Sequence, residues 1–212
     1  FRGCDPETSI RGGEMGLSND YVVPRLVTCA CGTKPVIRQR QKVVPRAHGR
    51  VLEFGIGAGL NLPHYQADRV DKVVGIDPCS KSWDLAAERA DQANVNVEFI
   101  QGSAEDIPLE SGSFDSVLIT FTLCTVPNPD AALAEARRML KPDGTLFFCE
   151  HGIAPDEPVA KWQRRVNPVW KRLFGGCHIT RDTRQLLQDA GFGIDAIAVS
   201  YTHLTLPTRR GG

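Results

Sequence analysis

The stretch Glu53-Phe54-Gly55-Ile56-Gly57-Ala58-Gly59 sets a carboxylate and three alternate glycines between an apolar run and a helical one. Glycine adopts positive φ at little cost and lets a ligand lie directly on the backbone. At the carboxyl end of a first strand, such a loop is where open α/β sheets bind nucleotides. Alone the signal is weak, because a plain tight turn reads the same way. Two features sharpen it. The spacing is GxGxG followed by Leu60 and Asn61, so the last glycine of a dinucleotide GxGxxG is missing. Asp77 ends the next apolar run, Val73-Val74-Gly75-Ile76-Asp77, where a carboxylate can accept both hydroxyls of a ribose.

Loop and Asp77 together point to an adenosine cofactor. Glu53 would repel a pyrophosphate but suits a cationic amino-acid group, which tilts the choice to S-adenosylmethionine. Asn61 after the loop, Pro78 after Asp77 and Thr120 at the end of a later strand are expected contacts of the same ligand. Gly102-Ser103-Ala104-Glu105-Asp106 follows the third strand, where backbone N–H groups and side chains can meet an adenine. An ordinary polar loop has the same composition.

Methyl transfer from a sulfonium is an in-line displacement from an activated donor, so the protein must mainly align the acceptor and exclude water. Alignment can contribute roughly 7–11 kcal/mol, more than the about 10²–10⁴-fold typical of a general base. A thiol acceptor, with a pKa of about 8.5, needs only modest help to ionise. His151, at the carboxyl end of the fifth strand and with an ordinary pKa of about 6.5, is the candidate base. A structural histidine would sit there equally well. Cys124 lies beside the expected transfer centre as a substrate contact or a buried thiol. His178, Trp162 and Trp170 belong to a segment expected to close over the acceptor, although tryptophans at helical separations also fit a core.

Short apolar runs alternating with helical ones must position these residues, which predicts βαβ units and a doubly wound, mostly parallel, Rossmann-like α/β sheet with helices on both faces. Strands are expected at 50–54, 72–77, 95–101, 114–120 and 145–150, with helices near 60–66, 80–92 and 130–140. Asp130 can cap the last of these, with Ala132, Leu133, Ala136 and Leu140 on its apolar face and Lys141-Pro142-Asp143-Gly144 ending it. Residues 18–48 read as amphipathic helix carrying Arg25, Lys34, Arg38, Arg40, Lys42 and Arg46, a solvated face or a binding surface. A helix at 181–190 leads to a sixth strand at 193–201.

With 212 residues the expectation is one domain: a helical segment at 15–49 and a methyltransferase domain at 50–200 with a substrate-cap insertion at 155–181. Residues 1–14 and 201–212 read as non-native or disordered extension and non-native tail, leaving the seventh strand missing or truncated. Lys plus Arg equals Asp plus Glu at 25 each, so no polyanion-binding signature argues for nucleic acid. Seven cysteines at irregular spacings, without a CxxC pair, fit free thiols in a reducing cytosol better than a disulfide framework or a metal site.

On these residues the chain resembles the class I S-adenosylmethionine-dependent methyltransferases of the ubiquinone/menaquinone-biosynthesis type, over about residues 16 to 195. Thr122-Leu123-Cys124-Thr125-Val126, Glu150-His151 and the run from Trp170 through Gly176-Cys177-His178-Ile179-Thr180-Arg181 are similar to the thiol S-methyltransferase branch. The resemblance implies that Glu53, Gly55, Gly57 and Gly59 contact the methionine part of the cofactor, Asp77 the ribose, and Ala104 and Glu105 the adenine. Many members carry Asp where Ser103 stands. Microsomal members have a hydrophobic N-terminal anchor that this sequence lacks, so the expectation is a cytoplasmic protein with no transmembrane segment and at most peripheral membrane contact. The acceptor is expected to be a small molecule, a thiol or else a quinone, phospholipid amine or hydroxylated metabolite. A nicotinamide-dependent oxidoreductase and a binding module without turnover are the readings from other classes.

Overall fold

Strand residues alternate between two apolar clusters, which is why the sheet needs cover on both faces. Leu52, Phe54, Val74, Ile76, Val117 and Ile119 point to one cluster, and Val51, Val73 and Leu118 to the other. The computed structural model describes residues 31–196. Its sheet has five parallel strands: β1 (Gly49–Phe54), β2 (Val70–Asp77), β3 (Val97–Gln101), β4 (Phe114–Thr120) and β5 (Leu140–Cys149). Their order is β3-β2-β1-β4-β5, so the order reverses between β1 and β4. At such a switch point the helices diverge to opposite faces and leave a crevice beyond the strands' carboxyl ends.

The covering helices are α1 (Lys34–Val43), α2 (Ser80–Asp84), α3 (Ala87–Asp91), α4 (Pro129–Met139), α5 (Glu157–Leu173) and α6 (Thr183–Asp189). Helix α4 and Leu187 of α6 join the first cluster, while Val44 and Ala47 after α1 close the second. None of the described helices is long and apolar enough to cross a membrane.

Several local expectations are corrected. The cap of α4 is Asn128, whose side chain accepts from the Ala131 N–H, and not Asp130. Met139 and not Leu140 completes its buried face, because Leu140 already leads β5. Lys141–Gly144 does not end before the strand begins; it lies within β5, where the pairing with β4 shifts register between Phe114 and Ser116. The helix expected at 60–66 is one 3-10 turn, Leu62–His64, after which Tyr65 is extended. The helix expected at 80–92 breaks between α2 and α3, where the fully buried Ala86 packs against Gly59. Residues 193–196 are not strand, and the rest of the expected sixth strand, the seventh and both chain ends lie outside the described residues. Cys31, Cys124, Cys149 and Cys177 are free thiols, whereas Cys79 is disulfide-bonded.

Candidate cofactor and acceptor site

The glycine loop leaves β1 in a path that only glycine takes easily: φ is 64° at Gly55, 49° at Gly57 and 68° at Gly59. The Gly55 N–H donates to the Ile76 carbonyl at 2.8 Å, which pins the turn to β2. A Cβ on Gly55 would collide with Thr122, and one on Gly59 with Leu62 and Ala86, so both glycines are needed for packing. Gly57 differs. A Cβ there would meet nothing nearer than the Gly55 carbonyl at 3.7 Å and Asp77 at 3.8 Å, so its surface is an open cradle.

Asp77 ends β2 beside that cradle. Its Oδ2 accepts from the Gly57 N–H at 3.1 Å and its Oδ1 from the Cys79 N–H at 2.9 Å. Each carboxylate oxygen can accept two bonds, so acceptor capacity remains for hydroxyl donors. Burial raises the Asp77 pKa to about 6, held back by the two N–H bonds. Cradle and carboxylate together fit an adenosine cofactor.

Glu53 faces inward, below the loop. It is 1% exposed, with Oε1 accepting from Asn61 Nδ2 at 2.8 Å and Oε2 from the Tyr65 hydroxyl at 2.6 Å. Asn61 also donates to Thr120 Oγ1 at 2.8 Å. The network is closed by Arg40 of α1, whose Nη1 donates to Asn61 Oδ1 at 2.8 Å and to Thr120 Oγ1 at 2.6 Å. Burial lifts the Glu53 pKa to about 7 despite these partners. Asn61 and Thr120 are thus brought together with Glu53, while Pro78 is exposed between the buried Asp77 and Cys79.

Beyond β3, Ser103 and Glu105 bond each other, and Glu105 accepts from the Asn128 N–H that precedes α4. The Ala104 methyl turns into the first core cluster. This loop is therefore a tie to the entrance of α4, with Ala104 facing inward.

On the other side of the crevice, Phe121 follows β4 with φ of 53°, the one described non-glycine residue at positive φ. Such a conformation persists only where the surroundings enforce it. The Arg40 guanidinium lies over the Phe121 ring at 4.9 Å, and the His151 ring packs against it at 4.8 Å. Burial, with the nearby Arg40 charge, lowers the His151 pKa, so the imidazole is neutral at pH 7. Glu150 grips the next turn by accepting from the N–H groups of Thr122 (2.6 Å), Leu123 (3.0 Å) and Cys124 (3.4 Å). Burial raises the Glu150 pKa to about 7.

Residues after α5 dock on that turn. The His178 N–H donates to the Cys124 carbonyl at 2.7 Å, and the Arg181 guanidinium to the Leu123 carbonyl. Cys124 is 2% exposed; the pKa of its thiol is pushed well up by a hydrogen bond with the Cys177 thiol and by burial. Trp170 stacks on Phe174 at 4.1 Å. Trp162 does not join them: it stands 59% exposed on the outer face of α5.

Arg40, Tyr65, Phe121 and Glu150 carry much of this architecture without having been singled out as site residues in the sequence. A signal for Arg40 did exist. Val36, Arg40 and Val44 recur every four residues and all three are buried, so Arg40 occupies the apolar face of α1.

The family model described as a methyltransferase domain matches residues 52–148. Thiol S-methyltransferase TMT1B of Rattus norvegicus is 37% identical over 147 residues, covering 67% of this chain and 59% of that protein. The chain thus spans about three fifths of that relative's length. Phosphatidylethanolamine N-methyltransferase of Cereibacter sphaeroides is 32% identical over 143 residues, covering 64% of this chain and 70% of that protein. Among solved structures, a candidate methyltransferase of Bacillus halodurans superposes with a TM-score of 0.61 at 25% identity, covering 73% of this chain and 67% of that one. With the parallel sheet, the open glycine cradle and Asp77 at the switch point, these similarities make the chain a member of the class I S-adenosylmethionine-dependent methyltransferases.

Proposed function

We propose that the protein transfers a methyl group from S-adenosylmethionine to a small-molecule thiol. The observation that carries the donor half is the pairing of the open Gly57 cradle with the Asp77 carboxylate, which retains acceptor capacity. For the acceptor half, the support is the similarity to the rat thiol S-methyltransferase. When bound, the cofactor supplies a methyl group activated on a sulfonium.

The chain's own residues do the rest. Asp77 would orient the ribose, and the Glu53–Asn61–Arg40–Thr120 network holds the floor of the glycine loop rigid, where the Glu53 carboxyl would favour a cationic group. Ser103, Ala104 and Glu105 border the adenine side, where their backbone and the Ser103 hydroxyl are the groups to offer. His151 is neutral at pH 7 and accepts the thiol proton, leaving a thiolate aligned for displacement. Segment 155–181, with Cys124, Trp170 and His178, closes the acceptor side and excludes water. A cytoplasmic location fits this reading, as does the absence of any nucleic-acid signature.

A panel of thiols, phenols and amines with isotopically labelled methyl donor tests it. Label is expected on the thiols; transfer to phenols or amines with thiols inert would overturn the acceptor. A second reading, methylation of a phospholipid amine, has the Cereibacter sphaeroides relative in its favour and would show as label in lipid.

A further inference from the structure

Helix α5 carries two stripes with the same spacing, a mixed one that packs on the protein and an apolar one that is left largely uncovered. The inner stripe is Ala160, Gln163, Asn167 and Trp170. Ala160 is buried, Gln163 bonds the Gly152 carbonyl and the Ala154 N–H, and Asn167 accepts from the Ile179 N–H. The outer stripe is Val159, Trp162, Val166, Val169 and Leu173, again at i, i+3, i+7, i+10 and i+14. Trp162, Val169 and Leu173 are each 59–60% exposed and Val159 41%, and these are the exposed large apolar side chains among the described residues. Scattered singly such residues need no explanation, but four of them on one helix face do.

The polar margin of the same helix answers what could cover it. Lys161, Arg164, Arg165, Lys171 and Arg172 give α5 five cations against the single carboxylate of Glu157, in a chain whose total charge is zero. Lys161 and Arg164 share Glu157 at 4.0 and 3.2 Å, all three side chains being more than half exposed, so those contacts are screened and weak. An apolar arc with a tryptophan, flanked along one side by Lys161, Arg165 and Arg172, is the pattern of a helix lying in the plane of a bilayer interface. There the apolar arc enters the acyl boundary and the cations meet anionic headgroups.

We infer that α5 docks this protein on anionic membrane surfaces through Val159, Trp162, Val169 and Leu173. Gln163, about 100° round the helix from Trp162, bonds the Gly152 carbonyl and the Ala154 N–H, which ties the docked helix to the segment that carries His151. The inference concerns where the protein works and does not depend on which acceptor it methylates.

The test is co-sedimentation of the full chain with phosphatidylcholine vesicles, with and without phosphatidylserine, at low and high salt. Binding is expected with phosphatidylserine, weakening as salt rises, by about fivefold for each cation engaged. Emission from Trp162 is expected to shift to shorter wavelength, since Trp83 stacks on Phe99 and Trp170 on Phe174 in either state. The double variant Val169→Glu with Leu173→Glu is expected to bind at least about tenfold less while keeping its circular dichroism spectrum and cofactor affinity. Wild-type chain that stays in the supernatant, or a double variant that binds as well as wild type, overturns the proposal. So does a lipid-free, concentration-dependent dimer that the double variant abolishes, because the stripe would then hold a second copy.

Discussion

The two walls of the crevice are built differently. On the donor wall, Glu53, Asn61, Thr120 and Asp77 are all under 10% exposed; Glu53, Asn61, Thr120 and Arg40 are tied by bonds between side chains up to 80 residues apart in sequence, and Asp77 accepts from two backbone N–H groups. On the acceptor wall, the turn after β4 is gripped by one carboxylate and two docking contacts, and the helix beyond it turns several apolar side chains outward. Bonded side chains make the first wall rigid, whereas the second has fewer ties of its own and leans on the first where the Arg40 guanidinium lies over Phe121 and Thr122 bonds the Phe54 carbonyl.

Changes on the donor wall should therefore cost most. Asp77→Ala removes the carboxylate expected to take the ribose hydroxyls, and calorimetry should find cofactor affinity reduced about 10²–10³-fold. Undiminished affinity would break the donor assignment.

Both walls hold carboxyls whose pKa is raised by burial, to about 7 for Glu53 and Glu150. The native state therefore binds more protons than the unfolded chain between about pH 4.5 and 7. Their contribution to stability is fully present below the unfolded value and lost as pH rises through the folded one. Denaturant titrations without cofactor should show stability falling across that window, by a few kcal/mol at most for each group. Glu150→Gln should flatten the acceptor wall's share of the slope and leave that of Glu53.

Arg40→Ala leaves Asn61 and Thr120 short of a buried charged donor, and should cost about 2–3 kcal/mol in the same titration. On the acceptor wall, His151→Ala should lower the rate on a thiol about 10–100-fold and shift the pH–rate profile toward the acceptor's own pKa. A profile left unmoved would make His151 a packing partner of Phe121. Smallest of all, Arg164→Ala on α5 should change stability by less than about 0.5 kcal/mol, because its partner Glu157 is exposed.

The strands were the most legible part of the fold. Phe114–Thr120 has the expected limits, and β1 and β2 differ from expectation only at their amino ends, because strands buried on both faces are written as unbroken apolar runs. Helical stretches were less legible. Residues 80–92 have adequate propensity for one helix, yet the close approach of Ala86 to Gly59 splits them, a contact no local window contains. The site divides the same way. The positions of Gly57 in the loop after β1 and of Asp77 at the end of β2 were legible because backbone conformation and strand position are encoded locally.

What the sequence alone determined was the alternating α/β pattern, the phosphate-free character of the loop and the carboxylate at the end of β2. The tertiary structure decided where the charges went. Glu53, expected to contact the ligand, is buried below the glycine loop and held there by Tyr65 and Asn61. Arg40, one cation in a basic run, became the buried keystone of the donor wall. Trp162, expected over the acceptor, faces outward on α5. The physical reason is common to all three. A charged or large side chain goes where partners or cover exist, and those lie tens of residues away in sequence.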